Sequence, residues 1–453
     1  MTNQTLAQGD LIAAIASGTG PGAVSLIRLS GLGAYDTLRR VFVSASDPMS
    51  KPRTMIFGKL IKPQSKEVID QVLAVFFPGP QTFTGEDTAE IFGHGGATVP
   101  RLVLEAVMEA GARLANPGEF TQRAFLNDRL SLDQAEAVAD LVAAQSEAEA
   151  TLATRHLEGA LSAKIKPAIE KLIGLQAELV AILDFEEDWN EEKRLDLISM
   201  TANLSGEIKK LVEIRKNGRI FRDGLRVVLT GLPNAGKSSL FNAILGRDRA
   251  LVSPRPGTTR DYLEASVSWN GLRVELVDTA GLGQRTGDEL EDLGQQLALK
   301  ELEAADIIVW LRSVTEPGPD EPPLARETGK ILEVWSKSDL KTGQPISADS
   351  PSGLCVSALT GEGLDELKSL ILKKTGLATG LVPEIVPNLR QQKALEDSLE
   401  QINRALSALT ERETPDIVAF ELGQSLESLN YVTGQAFTEE ILNEVFSNFC
   451  VGK

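Results

Sequence analysis

Apolar positions along the chain change their spacing three times, and each change marks a region. Over the first 119 residues the apolar runs are short: Leu11-Ile-Ala-Ala-Ile-Ala16, Ala23-Val-Ser-Leu-Ile-Arg-Leu29 and Val72-Leu-Ala-Val-Phe-Phe77, the last closed by Pro78-Gly79. These predict strands, and the helical spacing over Ala97–Ala110 predicts a helix, so the segment reads as a separate α+β module. Between them, Thr84-Gly-Glu-Asp-Thr-Ala-Glu-Ile-Phe-Gly-His-Gly-Gly96 is dense in turn residues and reads as a loop carrying three carboxylates. From Pro117-Gly-Glu-Phe120 onward, apolar residues recur at three and four through Leu130–Val142 and again from Ile165 to Leu183, with small residues on one face. That pattern breaks near Gly218–Gly224 and returns after Gly376–Pro387 as Leu395–Leu409 and Ile417–Leu429. The expected order is an α+β module at 1–119, a helical domain at 120–220, an inserted domain at 221–377 and a second helical part at 378–453.

The inserted domain opens on its chemistry. Leu225-Arg-Val-Val-Leu-Thr230 suits a buried strand, Gly231-Leu-Pro-Asn-Ala-Gly-Lys-Ser238 is a phosphate-binding loop, and Ser239-Leu-Phe-Asn-Ala-Ile-Leu245 has helical spacing. Gly231 and Gly236 let the backbone amides turn inward around a phosphate, Lys237 adds a point charge, and the Ser238 hydroxyl can ligate Mg²⁺. Downstream, Asp278-Thr279-Ala280-Gly281 ends a strand at Val274–Val277, which puts Asp278 near the metal and the Gly281 amide near the γ-phosphate. Gly257-Thr258-Thr259-Arg-Asp261 supplies hydroxyls in a switch loop, with Thr259 as the second Mg²⁺ ligand. Val334-Trp-Ser336-Lys337-Ser-Asp339 stands where an Asn-Lys-x-Asp guanine motif belongs, and Ser357-Ala358-Leu359 matches the last base-contacting loop. The Asp339 carboxylate can accept two hydrogen bonds from the guanine edge. Ser336 departs from the motif, and the expected outcome is guanine selectivity kept by Asp339 with reduced affinity.

Leu282 follows Gly281, where many small GTPases carry the glutamine that orients the attacking water. An apolar side chain cannot do this, and charge developing between the β- and γ-phosphates also needs neutralising, which a bound cation can supply. The Asn234 amide oxygen suits a monovalent cation, although a turn-forming role for Asn234 also fits.

Pro-Asn-Ala-Gly-Lys-Ser-Ser, Gly-Thr-Thr-Arg-Asp, Asp-Thr-Ala-Gly-Leu, the N-terminal segments and the final Phe449-Cys450-Val451-Gly452-Lys453 together resemble the MnmE (TrmE) family of tRNA modification GTPases, end to end. The resemblance implies a multidomain α/β chain. Its parts are an N-terminal α+β folate-binding and dimerisation module, a helical domain, and an inserted P-loop G domain with a doubly wound sheet. It further implies a K⁺-activated GTPase whose G domains dimerise across the nucleotide. Acting with the flavoprotein MnmG, as a heterotetramer with a homodimer of this chain, it modifies carbon-5 of the wobble uridine of certain tRNAs. By position, the GTP site takes in Asn234, Ala235, Gly236, Lys237, Ser238 and Ser239, then Ser253, Pro254, Arg255, Pro256, Gly257, Thr258 and Thr259. It continues with Asp278, Thr279, Ala280 and Gly281, and ends on Ser336, Lys337, Asp339, Ser357 and Ala358. The K⁺ ligands fall on Asn234, Ser253, Arg255 and Thr258, with Arg255 contributing through its backbone carbonyl. The water-orienting glutamate falls on Glu291. Glu289 is a rival, because the loop is one residue longer than the family pattern, and matching Leu293-Gly294 favours Glu291.

For the N-terminal module the resemblance implies a tetrahydrofolate one-carbon donor, 5-formyl- or 5,10-methylene-tetrahydrofolate, contacted by Arg28, Glu90, Arg129 and Lys453. A cation suits the glutamate tail of a folate and a carboxylate suits the donor groups of its pterin. Without the family, Arg28 also reads as a strand-edge charge. At Arg129 the family pattern has Lys, so the charge is kept and its geometry is not. Cys450 lies in the family's terminal segment, with placement near the folate site implied. A lone cysteine is more often inert than nucleophilic.

Composition bounds these readings. The chain has 453 residues, 42% hydrophobic, with two cysteines and two histidines. That size implies two or three cores, and the inventory leaves no disulfide framework and makes a Cys/His zinc site improbable. No leader pattern or bilayer-length apolar run is present, so a soluble cytoplasmic protein with no membrane association is expected. A formal charge of −18 argues against a chain whose main task is to wrap nucleic acid. Residues 1–120 are nearly balanced, with 10 basic and 11 acidic side chains, so the acid excess lies downstream, partly in Asp184–Glu192, which reads as a solvated loop or helix end. A tRNA would then meet a local basic patch or a partner protein. A regulatory GTPase switch in ribosome assembly is the second reading, and a catalytically dead scaffold, prompted by Leu282 and Ser336, is the third.

Overall fold

A computed structural model describes residues 9–18, 22–184, 189–248, 250–251, 263–279, 299–316, 329–340, 354–377, 381–447 and 449–452. The chain divides into two compact units. One comprises Met1–Val142, His156–Lys209 and Leu389–Lys453, and the other Ala143–Arg155 and Lys210–Asn388.

In the first unit, seven strands form one sheet: β1 (Ile12–Ile15), β2 (Val24–Ser30), β3 (Phe42–Ser44), β4 (Ile56–Ile61), β5 (Val68–Phe77), β6 (Thr88–His94) and β7 (Arg113–Leu114). Their order is β3-β4-β5-β6-β2-β1-β7, antiparallel except for the parallel β1–β7 edge pair. Strand alternation sends Ile27, Leu29, Ala89 and Ile91 into a core under helices Ala34–Val41 and Val99–Glu109, where they meet Leu38 and Val103. The opposite face presents Leu26, Arg28, Glu90 and Phe92, all partly exposed. β6 corrects the sequence reading, because the segment Thr84–Gly96 taken as a loop contains a strand between β5 and β2. Its apolar alternation covers only Ala89 and Ile91, and the flanking glycines and carboxylates hide that short signal.

Helices Leu132–Ala143, Ala160–Asp184, Leu389–Glu411 and Pro415–Thr433 follow the predicted helical stretches, and Glu439–Ser447 is a helix that the sequence reading did not include. In Ala160–Asp184 the buried residues Leu161, Ile165, Ile169, Leu172, Leu175, Leu179 and Ile182 fall three and four apart, as one apolar stripe requires. Among the described residues no helix is long and apolar enough to cross a membrane.

The second unit holds a six-stranded sheet: β8 (Leu225–Gly231), β9 (Ala250–Leu251), β10 (Leu263–Trp269), β11 (Leu272–Asp278), β12 (Ile307–Ser313) and β13 (Ile331–Ser336). The order is β13-β12-β8-β11-β10-β9, with parallel pairing from β13 to β11 and antiparallel pairing beyond. Apolar side chains leave both faces. Leu229, Leu276, Val309 and Val334 pack with Leu240 and Ile244 of helix Lys237–Arg247, while Val228, Val277 and Ile308 meet Leu302 and Ala305. A sheet covered on both sides with its strand order reversing beside β8 is a doubly wound α/β arrangement, with its crevice at the carboxyl ends of the strands.

Residues 143–155 belong to this unit although they lie within the 120–220 segment expected to be the helical domain. Ala148 is buried in the sheet's core, and its N–H donates to the Gly271 carbonyl (3.0 Å) in the β10–β11 turn. Arg155 donates to the carbonyls of Val382 (2.9 Å) and Pro383 (2.8 Å).

Candidate nucleotide site and N-terminal polar cluster

β8 delivers the phosphate loop to the carboxyl edge of the sheet. Gly231 has φ 147°, and a Cβ there would lie 2.4 Å from the Leu311 carbonyl oxygen on β12, so a side chain would push the neighbouring strand away. Asn234 has φ 62°, and Gly236 caps the eleven-residue helix Lys237–Arg247, whose N-terminal amides face the loop. Lys237 is 8% exposed, and its ammonium donates to the carbonyls of Gly231 (2.8 Å) and Leu232 (3.0 Å). Burial pushes its pKa below the usual lysine value, against the attraction of Asp278.

The register Leu229↔Asp278 between β8 and β11 brings the fully buried Asp278 beside the loop, and Ser238 Oγ donates to Asp278 Oδ2 at 2.5 Å. Thr279 Oγ1 donates to the Leu229 carbonyl (2.9 Å). A hydroxyl and a carboxylate are hard oxygen donors, and the pair fits Mg²⁺. Ser239 follows in the first turn of the helix.

The residues expected to read a base are tied to this loop. Ser336, 4% exposed at the end of β13, donates from Oγ to the Ala235 carbonyl at 2.6 Å. Lys337 takes φ 61°, and the 3₁₀ turn Ser338–Leu340 carries Asp339. Ser357, fully buried, donates from Oγ to Asp339 Oδ1 (2.6 Å), while the Thr360 N–H donates to Ser357 Oγ (3.1 Å). Backbone bonds Trp335 N–H to Leu354 O (2.9 Å) and Val356 N–H to Trp335 O (2.7 Å) lay the Ser357-Ala358 loop against β13. The loop at 231–238, the Ser238–Asp278 pair and the turn that carries Asp339 thus converge. Ser253–Thr259, Ala280, Gly281, Leu282, Glu289, Glu291 and Lys453 lie outside the described residues.

Sequence reasoning missed Arg312. Its guanidinium lies 5.1 Å from the Trp310 ring and 4.7 Å from the Trp335 ring and pairs with Glu333 at 2.9 Å, bracing the strand ends beside Ser336. The Trp-x-Arg and Glu-x-Trp alternations of two strands carry the signal, but only once their parallel register is known.

In the N-terminal module, Arg28 and Glu90 are cross-strand partners and bond to each other, Nε to Oε1 at 2.8 Å. The Arg28 guanidinium also lies 6.0 Å from the Phe120 ring. Arg129 is exposed after helix Glu119–Leu126, its Cγ 3.5 Å from where a Cβ on Gly85 would stand. The C-terminal segment runs beside this helix. Val451 bridges Pro117, the Gly118 N–H donates to the carbonyl of exposed Cys450 (3.4 Å), and a Cβ on Gly452 would lie 2.4 Å from the Ile15 carbonyl oxygen. Ala14, next to Ile15, faces Arg28 across β1–β2, so the tail approaches the Arg28 region.

A second polar cluster was not predicted. Arg123 donates to Asp10 (Oδ1, 2.5 Å), Glu119 (Oε1, 2.8 Å) and Glu86 (Oε2, 3.1 Å), and Arg113 to Asp10 (2.6 Å) and Glu119 (2.6 Å). Burial alone raises the Glu119 pKa. Hydrogen bonds from Arg113, the Asn116 N–H and Arg123 outweigh it and bring Glu119 down to about 2.

The family model for the MnmE helical domain matches residues 132–450, and that for the GTP-binding protein TrmE N-terminus matches residues 11–129. The tRNA modification GTPase MnmE of Syntrophus aciditrophicus is 40% identical over 457 residues, covering 98% of this chain and 99% of that one. The chain belongs to the MnmE family of tRNA modification GTPases. The MnmE of Thermus thermophilus is likewise 40% identical, over 444 residues with 98% and 99% of the two chains covered. Among solved structures, the G domain of the T. maritima FeoB iron transporter is 26% identical over 33% of this MnmE-family chain and 98% of its own length, with a TM-score of 0.24.

Proposed function

We propose that this MnmE-family chain is a cytoplasmic GTP hydrolase that acts on tRNA, modifying carbon-5 of the wobble uridine in certain tRNAs together with the flavoprotein MnmG. The observation that carries the GTPase part is the convergence of Lys237, the Ser238–Asp278 pair and the Ser336–Asp339 loop at one sheet edge. Lys237 faces the phosphates, and Ser238 and Thr259, with Asp278 beside them, would hold Mg²⁺, which would supply charge neutralisation at the phosphate oxygens. Asp339, oriented by Ser357, accepts from the guanine donor edge. Asn234, with Ser253, Arg255 and Thr258, holds K⁺ in place of an arginine finger, and Glu291 orients the water that Leu282 cannot.

Supporting a mechanical output is the grip of residues 143–155 on the β10–β11 turn. Those two strands lead directly from the switch loop and into Asp278, so a shift of either end reaches a helix that continues in sequence into the helical body. On this reading the domains run 1–119, 120–220, 221–377 and 378–453. The N-terminal module dimerises and holds the tetrahydrofolate donor. Arg28 and Glu90, paired in the protein alone, exchange partners for the tail and pterin of the ligand. Arg129, Lys453 and the segment with Cys450 complete the rim.

GTP turnover measured in KCl and in NaCl tests the cation assignment. Turnover much faster in KCl, collapsing in Glu291→Ala with GTP binding retained, is expected, and equal rates in both salts overturn it. Calorimetry of the full chain with 5-formyltetrahydrofolate tests the N-terminal site. Binding that Arg28→Ala weakens is expected, and no heat of binding removes the folate reading.

A further inference from the structure

Position 336 does two jobs in a base-reading loop when it is an amide and one when it is a hydroxyl. An asparagine amide carries two N–H donors, whereas a serine hydroxyl has a single proton. That proton is committed, because Ser336 Oγ sits 2.6 Å from the Ala235 carbonyl oxygen, with its next acceptor, the Arg312 carbonyl, at 3.3 Å. Both acceptors are backbone groups of the protein, and the serine is 4% exposed. Its Cβ lies 3.8 Å from where a Cβ on Gly236 would stand, so the hydroxyl is seated between the phosphate loop and the base loop.

Guanine offers two kinds of edge: N1–H and N2–H₂ donate, while O6 and N7 accept. Asp339 serves the donors. A carboxylate is acceptor-only when ionised and cannot meet N7.

We propose that Ser336 is the tie between the two loops and makes no base contact, so that this chain reads guanine from its donor edge and is indifferent to the chemistry at N7. The inference rests on the reading that guanine occupies the site beside Asp339. It assigns a nucleotide preference in which 7-deazaguanine nucleotides, with carbon at that position, are bound as well as the natural ones.

The test is displacement of fluorescent GDP from the full-length chain by GTP, 7-deaza-GTP and ATP, for the wild type, Ser336→Asn and Ser336→Ala. In the wild type, GTP and 7-deaza-GTP should displace within about twofold of each other. Ser336→Asn regains a donor and should prefer GTP by about threefold to tenfold, the worth of one net hydrogen bond. Ser336→Ala loses the tie and should weaken both guanine nucleotides by similar factors, leaving their ratio unchanged. A wild-type preference of fivefold or more for GTP over 7-deaza-GTP overturns the proposal, whether Ser336→Ala abolishes it or leaves it in place, with GTP binding itself intact. A preference for ATP over GTP overturns the guanine reading beneath it. Should Ser336→Asn fold poorly, the wild-type and Ser336→Ala ratios decide alone.

Discussion

Two buried cations in this chain are treated in opposite ways. Arg123 is surrounded by the carboxylates of Asp10, Glu86 and Glu119, and although burial works against its charge, bonds to Glu119 and Glu86 hold its pKa above the usual arginine value. Lys237 is equally buried, but its ammonium donates to two backbone carbonyls, and burial lowers its pKa. The first cation is neutralised by folding itself. The second keeps an electrostatic deficit that an anionic phosphate would remove, and a ligand-binding charge differs from a structural one in this respect.

The largest expected effects separate the two. Replacing Arg123 by Met leaves Glu86 without its cation and Asp10 and Glu119 sharing Arg113 alone, and should destabilise the first unit by about 3–5 kcal/mol in urea unfolding. Lys237→Met removes an undercompensated charge and should leave the nucleotide-free protein as stable as before, or more so, while lowering GTP turnover by about two orders of magnitude. Equal destabilisation by both variants would erase the distinction.

Acid sharpens the same contrast. Glu119 has its pKa depressed from 4.5 to about 2, so its contribution is present above pH 4.5 and lost as pH falls through the folded-state value. Stability on the order of 2–3 kcal/mol should disappear between those limits, and Glu119→Gln should flatten that arm of the pH profile. At the nucleotide site, Asp339→Asn exchanges an acceptor for a donor. It should weaken GTP by about 1–3 kcal/mol and strengthen xanthosine triphosphate, whose second carbonyl can accept, in the same displacement assay. The smallest effect is expected at Glu149 and Arg273, 2.8 Å apart but too oblique for a hydrogen bond. Glu149→Gln should change stability by less than about 1 kcal/mol.

What could be read from the sequence follows how local each feature is. The phosphate loop, its strand and its helix are contiguous, so their chemistry is written in one stretch, and the inserted domain shows as a change of apolar spacing. Ser336 was visible as a departure, but its partner Ala235 lies 101 positions away and appears only when β13 is laid near β8. Arg123 was invisible for the same reason, since its partners run from Asp10 to Glu119. The sequence of residues 143–155 does not say which core the segment serves, and buried Ala148, its bond to Gly271 and the Arg155 bonds to Val382 and Pro383 decide that.

The most direct measurement is mass spectrometry of wobble nucleosides in tRNA from cells lacking this chain, complemented with the wild type or with Lys237→Met. The proposed function requires that carbon-5 modification of the wobble uridine is lost, returns with the wild type and does not return with Lys237→Met at equal protein level. Modification that persists without the chain, or that Lys237→Met restores in full, contradicts it.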